Sequence, residues 1–184
     1  MGEGESFSGG FSDLGELIFV LGGARSGKSG FALKECDRLK GRKAFIATAD
    51  VKTLDEEMKA RVEAHKRERG AEWESFEEPA NLPGLIERIG AQYDAVLIDC
   101  LTLWLSNLFL KKADVPGDSA RLLRAIKGAK GTVFAVSNEV GMGIVPDSPL
   151  GRAFRDGAGR LNQLMAGGAD RVYLVTAGIP SRIK

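Results

Sequence analysis

Short apolar runs alternate along this chain with longer stretches whose apolar residues recur at helical spacing. Leu17-Ile18-Phe19-Val20-Leu21 is continuously apolar, as in a strand buried on both faces. Phe31-Ala32-Leu33-Lys34-Glu35-Cys36 opens a helical pattern that runs to about Lys40 and stops at Gly41-Arg42. Lys43-Ala44-Phe45-Ile46-Ala47 reads as the second strand, with Thr48-Ala49-Asp50 at its carboxyl end. Residues 54–69 form a highly charged helical pattern in which Leu54, Met58, Val62 and His65 share one face, and Gly70 stops it. Trp73-Glu74-Ser75-Phe76 is a short strand, residues 81–89 a helix ending at Gly90, and residues 94–100 the clearest buried strand. Leu101–Leu110 is apolar nearly all round, which predicts a buried helix or a subunit contact.

Residues 111–119 are a polar loop containing Pro116-Gly117, and Ser119 is placed to cap a helix through Lys127. A strand is expected over 132–136, a shaped loop with glycines and one proline over 137–146, and a helix over about 149–166. Residues 171–175 are the last expected strand, and Thr176-Ala177-Gly178-Ile179-Pro180 closes the chain. Strands alternating with helices imply an α/β fold: a mostly parallel sheet covered by helices on both faces. In such a sheet the carboxyl ends of the strands are the edge where ligands bind.

One stretch at such an edge carries chemistry. Gly22-Gly23-Ala24-Arg25-Ser26-Gly27-Lys28-Ser29 is a G-x-x-x-x-G-K-S phosphate loop between a strand and a helix. Its glycines let the backbone turn with φ > 0 and bring N–H groups onto phosphate oxygens. The helix that follows aims its positive end at the same oxygens. Lys28 reaches the β- and γ-phosphates, and the Ser29 hydroxyl is a Mg²⁺ ligand. Asp99, at the end of the 94–100 strand, stands where such a site keeps a second Mg²⁺-directing acid; a helix N-cap is the other reading. Thr48, between Ala47 and Ala49, and Glu139, after the 132–136 strand, lie at the same edge.

Composition narrows the setting. The chain has 184 residues, 43% hydrophobic and 28% charged, with a net charge of +1, which fits one globular domain and gives no basis for nucleic-acid or membrane-surface binding. No apolar run reaches the roughly 18 residues of a membrane span. Cys36 and Cys100 have no metal-ligand spacing and read as buried thiols of a reducing, cytoplasmic compartment. Residues 1–15 lack the charged and apolar regions of a signal peptide and read as a mobile extension, leaving 16–184 as the domain.

Arg152, Asp156 and Arg160 fall at ion-pair spacing on the 149–166 helix. Gly157 and Gly159 cost that helix about 1 kcal/mol each relative to Ala, so a close approach is expected there, from a neighbouring subunit or a ligand.

Several stretches together resemble one family. They are the phosphate loop; Ile46-Ala47-Thr48; Asp55-Glu56-Glu57-Met58 with Arg61 and His65; Asn138-Glu139-Val140-Gly141-Met142-Gly143-Ile144-Val145-Pro146; and Arg152 with Phe154-Arg155-Asp156, Gly159-Arg160 and Asn162-Gln163. Gly178-Ile179-Pro180 and Lys184 also fit. The chain is similar, over about 17–184, to the bifunctional adenosylcobinamide kinases / adenosylcobinamide-phosphate guanylyltransferases of cobalamin biosynthesis. The resemblance implies a phosphate-loop, RecA-like domain that phosphorylates adenosylcobinamide with ATP or GTP. It implies a second reaction in which GMP passes from GTP to that phosphate through a guanylylated histidine. The family's position falls on His65, the one histidine in the chain. A core histidine on an apolar helix face is the competing reading, under which only the kinase reaction remains.

Lys66, Arg67, Glu68 and Arg69 match the stretch that holds GTP in the family; a solvated helix end is the plainer reading. Thr48 with Ala47 and Ala49, Glu77 and Asp99 match further nucleotide contacts. For Thr48 a strand-end cap is the alternative, and for Glu77 an exposed acid beside Pro79. Glu77 is the candidate acceptor for the N–H groups of guanine. Glu139 would activate an attacking hydroxyl or water, or stabilise the metal shell; a loop-shaping acid is the plainer reading. Mg²⁺ is the expected cofactor, a corrinoid and a nucleoside triphosphate the substrates, and a homo-oligomer the expected assembly, with a trimer suiting the family.

Overall fold

The computed structural model describes residues 15–50, 70 and 72–184. Among these, seven strands form one sheet: β1 (Leu17–Gly22), β2 (Lys43–Ala47), β3 (Trp73–Glu77), β4 (Ala95–Asp99), β5 (Thr132–Asn138), β6 (Arg171–Thr176) and β7 (Ile179–Arg182). Their order is β3-β2-β4-β5-β1-β6-β7. All neighbours run parallel except β7, which turns back on β6. The phosphate-loop strand β1 is therefore central, and β5 separates it from β4.

The helices are α1 (Lys28–Asp37), α2 (Leu82–Ile89), α3 (Leu101–Leu110), α4 (Val115–Lys127) and α5 (Pro149–Gly168). Alternation along the strands divides them between two faces. Ile18, Val20, Leu97, Phe134 and Val136 pack with Ala32 and Cys36 of α1 on one face. Leu17, Phe19, Val96, Ile98, Val133 and Ala135 pack with α2, α3, α4 and α5 on the other. Burial on both faces is why β1 and β4 read as unbroken apolar runs.

The apolar 101–110 segment is a core helix: Leu101, Trp104 and Leu105 are fully buried, and the Trp104 indole donates to Ala80 O at 2.8 Å. Each such side chain contributes about 1.5–3 kcal/mol by leaving water, so burial accounts for these positions, while Leu103 and Leu110 remain exposed. The close approach expected at Gly157 also comes from inside the chain, because a Cβ there would lie 3.0 Å from the Phe109 ring of α3. At Gly159 nothing among the described residues lies within 4 Å of such an atom.

Three boundaries differ from expectation. α4 begins at Val115, capped by the Asp114 carboxylate, which accepts from Gly117 N at 3.2 Å with Pro116 in the first turn. Ser119 lies within that helix and donates to Val115 O instead of capping. Gly15, assigned to the extension, is buried, donates to Ala129 O at 2.8 Å and has no room for a Cβ beside Gly131 O. The rest of the extension, residues 1–14, lies outside the described residues. β7 was not foreseen at all: its four residues are exposed and include Pro180, so neither alternation nor an apolar run marks it.

Candidate nucleotide site at the phosphate loop

The loop follows from its residue types. Gly22 ends β1 on the α1 face, where a Cβ would stand 2.4 Å from Ser26 Oγ and 2.6 Å from Val175 O. Arg25 (φ 56°) and Gly27 (φ 91°) take left-handed backbone, which curls the chain into a nest of N–H groups. Gly27 is the N-cap of α1, so Lys28 and Ser29 stand in the first turn, where helix N–H groups lack intrahelical partners. The assembly is a cradle for an anion, with the helix dipole behind it.

Lys28 is 8% exposed, and its Nζ donates to Gly23 O at 3.0 Å. Burial holds its pKa below the ordinary lysine value, opposed by Cys100 and Asp99. The ammonium is thus folded back onto its own loop beside the end of β4, near the acid expected there. Asp99 does not cap α3; the N-cap is Cys100.

The strand register gathers the other candidates. Ala47 pairs with Glu77 on one side and Asp99 on the other, and Gly22 pairs with Asn138. Glu139 follows directly, donating its N–H to Gly22 O at 3.0 Å, while its Oε1 accepts from Gly141 N at 2.6 Å. The structure thus brings Gly22, Lys28, Ser29, Ala47, Glu77, Asp99 and Glu139 to one sheet edge. Arg152 lies apart on α5, donating to Pro146 O and Asp147 O and so holding the loop after Glu139. Among the described residues Arg152 makes no ion pair with Asp156, which pairs with Arg155 at 3.6 Å instead. His65, Lys66, Arg67, Glu68 and Arg69 lie outside the described residues.

Thr48 is fully buried. Its hydroxyl donates to Cys100 O at 2.6 Å and accepts from Cys100 N at 2.9 Å. That geometry is the strand-end cap, joining the ends of β2 and β4 behind Asp99. The Asn107 amide of α3 adds bonds to Thr48 O and Pro79 O. A second brace had no signal beyond one glycine: the Ala177-Gly178 turn, both residues at positive φ, folds β6–β7 so that Gly178 N donates to Ser26 O at 2.8 Å.

Comparison with known proteins places this geometry. Over 96% of the chain and 81% of the other, the fold matches the crystal structure of flagellar accessory protein FlaH from Methanocaldococcus jannaschii, with a TM-score of 0.55 at 12% identity. That likeness concerns the fold alone. The bifunctional adenosylcobalamin biosynthesis protein CobU of Salmonella typhimurium is 38% identical over 186 residues, covering 91% of this chain and 99% of that one. The bifunctional adenosylcobalamin biosynthesis protein CobP of Pseudomonas aeruginosa is 38% identical over 169 residues, covering 90% and 95%. The CobU family model, described as cobinamide kinase / cobinamide phosphate guanyltransferase, matches residues 18–183, from the phosphate-loop strand through β7. A phosphate cradle on β1 and an alignment that spans nearly the whole sheet lead to one conclusion: the chain belongs to the cobinamide kinase / cobinamide phosphate guanyltransferase family.

Proposed function

We propose that this chain catalyses both reactions of its family. In the first, the aminopropanol hydroxyl of adenosylcobinamide attacks the γ-phosphorus of ATP or GTP, loses its proton, and the bond to the β-phosphate breaks to release ADP or GDP. In the second, a ring nitrogen of His65 attacks the α-phosphorus of GTP, the bond to the β-phosphate breaks, and pyrophosphate leaves. The phosphate of adenosylcobinamide phosphate then displaces histidine from GMP, giving adenosylcobinamide-GDP. A neutral imidazole suits this role because it is nucleophilic near neutral pH and its P–N bond stays labile. The observation that carries the reading is the buried Lys28 in its cradle of amides, within a chain of which 90–91% aligns with bifunctional relatives.

Lys28 would leave Gly23 O for the β/γ-phosphates, offsetting its lowered pKa with anionic partners. Ser29 and Asp99 are hard oxygen donors at one sheet edge and fit a Mg²⁺ ion. No group of three His, Cys, Asp or Glu side chains able to hold a metal exists among the described residues, so phosphates and water would complete the shell, as Mg²⁺ favours. The ion would supply charge neutralisation on the transferred group. Glu139 would act on the attacking hydroxyl, and Lys66, Arg67, Glu68, Arg69, Glu77 and the Ala47–Ala49 backbone would hold GTP. No helix among the described residues is long and apolar enough to cross a membrane. A cytoplasmic homo-oligomer, a trimer by family resemblance, completes the proposal.

GTP labelled at the α-phosphate tests it. With Mg²⁺ the protein should gain an acid-labile label that His65→Ala abolishes while ATP-dependent phosphorylation of cobinamide persists. Full labelling of His65→Ala would remove the assigned nucleophile. Phosphorylation without any labelling of the wild type would leave a kinase alone.

A further inference from the structure

Two side-chain atoms among the described residues are buried without a hydrogen-bond partner, Ser26 Oγ and Asn138 Oδ1. Both flank Gly22. Ser26 Oγ lies 2.4 Å from where a Gly22 Cβ would be, and Asn138 is the register partner of Gly22 on β5. Buried polar atoms are nearly always paired, so the two orphans single out the strand end beside the phosphate loop as an unusual polar spot.

Asn138 is held with unusual thoroughness for a strand end. Its N–H donates to Thr102 Oγ1 of α3 at 2.7 Å, and its carbonyl accepts from Asn162 Nδ2 of α5 at 3.2 Å. Those two side chains are tied through Ser137, whose hydroxyl donates to Asn162 Oδ1 at 2.8 Å and lies 3.2 Å from Thr102 Oγ1. Thr102, Ser137 and Asn162 are all buried. This network occupies the α3–α5 side of the sheet. The Asn138 side chain points the other way, because Val136 and Phe134, two and four residues earlier, pack against α1. That is the face of the phosphate loop, Lys28 and Asp99. The side-chain amide makes no hydrogen bond among the described residues; its Oδ1 is shut in, and the residue as a whole is partly buried.

We propose that Asn138 is a further contact of the phosphate site, its Nδ2 donating to an oxygen of the γ-phosphoryl group. The amide is uncharged, so it costs the nucleotide less desolvation than a second cation beside Lys28 and adds direction to the hold on the terminal phosphate. The three-residue network behind it explains how a partly buried side chain on a strand end stays aimed. The inference rests on the phosphate loop being a triphosphate site, as proposed above.

The test compares di- and triphosphate. Binding of ADP and β,γ-imido-ATP, and of GDP and β,γ-imido-GTP, is measured with Mg²⁺ by calorimetry on the full chain. A His65→Ala background removes the proposed acceptor of GMP. Asn138→Ala should reduce the preference for triphosphate over diphosphate by about tenfold or more, the scale of a hydrogen bond to a charged group, with diphosphate affinity nearly unchanged. Asn138→Asp keeps the shape, so it serves even if the Ala variant fails to fold, and should lose more because a carboxylate then faces the phosphate. An unchanged preference in the Asp variant, or in both variants, overturns the inference while leaving the phosphate loop intact. No nucleotide binding by the parent protein would overturn the phosphate-site reading and this inference with it.

Discussion

Replacing Thr48 by Val keeps the shape of a fully buried side chain and deletes one oxygen. In the native protein that oxygen accepts from Cys100 N and its proton goes to Cys100 O. After the change Cys100 O still accepts from Trp104 N at 3.3 Å, but Cys100 N–H has no other protein acceptor among the described residues. A buried donor left unpaired costs about 1–3 kcal/mol, and the lost bond to the carbonyl about 0.5–1.5 kcal/mol more, giving a loss of about 1.5–4.5 kcal/mol. At about 2–4 °C per kcal/mol for a chain of this size, Tm should fall by about 3–18 °C. Thr48→Ser, which keeps the hydroxyl, should cost less than about 1.5 kcal/mol. Urea titration with matched slopes checks both values. A Thr48→Val protein as stable as wild type but with weakened nucleotide binding would refute the cap and return Thr48 to the nucleotide.

Three further outcomes follow from the geometry. Gly157→Ala gains about 1 kcal/mol of helix propensity but presses a methyl onto Phe109, so it should destabilise by about 1 kcal/mol net; in a Phe109→Leu background the same change should stabilise, and equal effects in both backgrounds, read by denaturation, would contradict the contact. Lys28 has a folded-state pKa depressed by burial, so the unfolded chain holds the proton to higher pH and the stability of nucleotide-free protein should rise with pH as it approaches 10.5; Lys28→Met should flatten that rise and abolish stabilisation by nucleotide, and a rise of the same size in the variant would show that another group titrates. Burial raises Cys36 to about 12 and Cys100 to about 11, so neither thiol should react with iodoacetamide at pH 8 until denaturant is added, and rapid native labelling of either by mass spectrometry would contradict its burial.

The phosphate loop was legible because its chemistry is local: strand, glycines, lysine and helix lie within one continuous stretch, and each constrains the next. Asp99 and Glu139 were legible for a related reason, since a parallel sheet sends every strand's carboxyl end to one edge. Thr48 was half legible. Its position at a strand end was evident, but both readings of its hydroxyl stayed open until Cys100 was placed beside it. Ser119 misled because Asp114 and Pro116 offered a cap five residues earlier, and propensity alone does not rank two adequate caps. The closing hairpin was invisible because an exposed edge strand buries no face and leaves no periodicity.

What the chain's order of residues determined by itself was the sheet's alternation, the glycine-rich loop between β1 and α1 and which candidate residues stand at the strand ends, because these rest on backbone conformations and burial preferences that act over a few neighbours. Only the tertiary structure decided which groups stand back to back: Thr48 against Cys100, Phe109 against Gly157, Gly178 against Ser26, and Thr102 and Asn162 on the backbone of Asn138. Those pairings join residues far apart in the chain through close packing and directed hydrogen bonds, whose partners are specified by the three-dimensional path and leave no trace in local pattern.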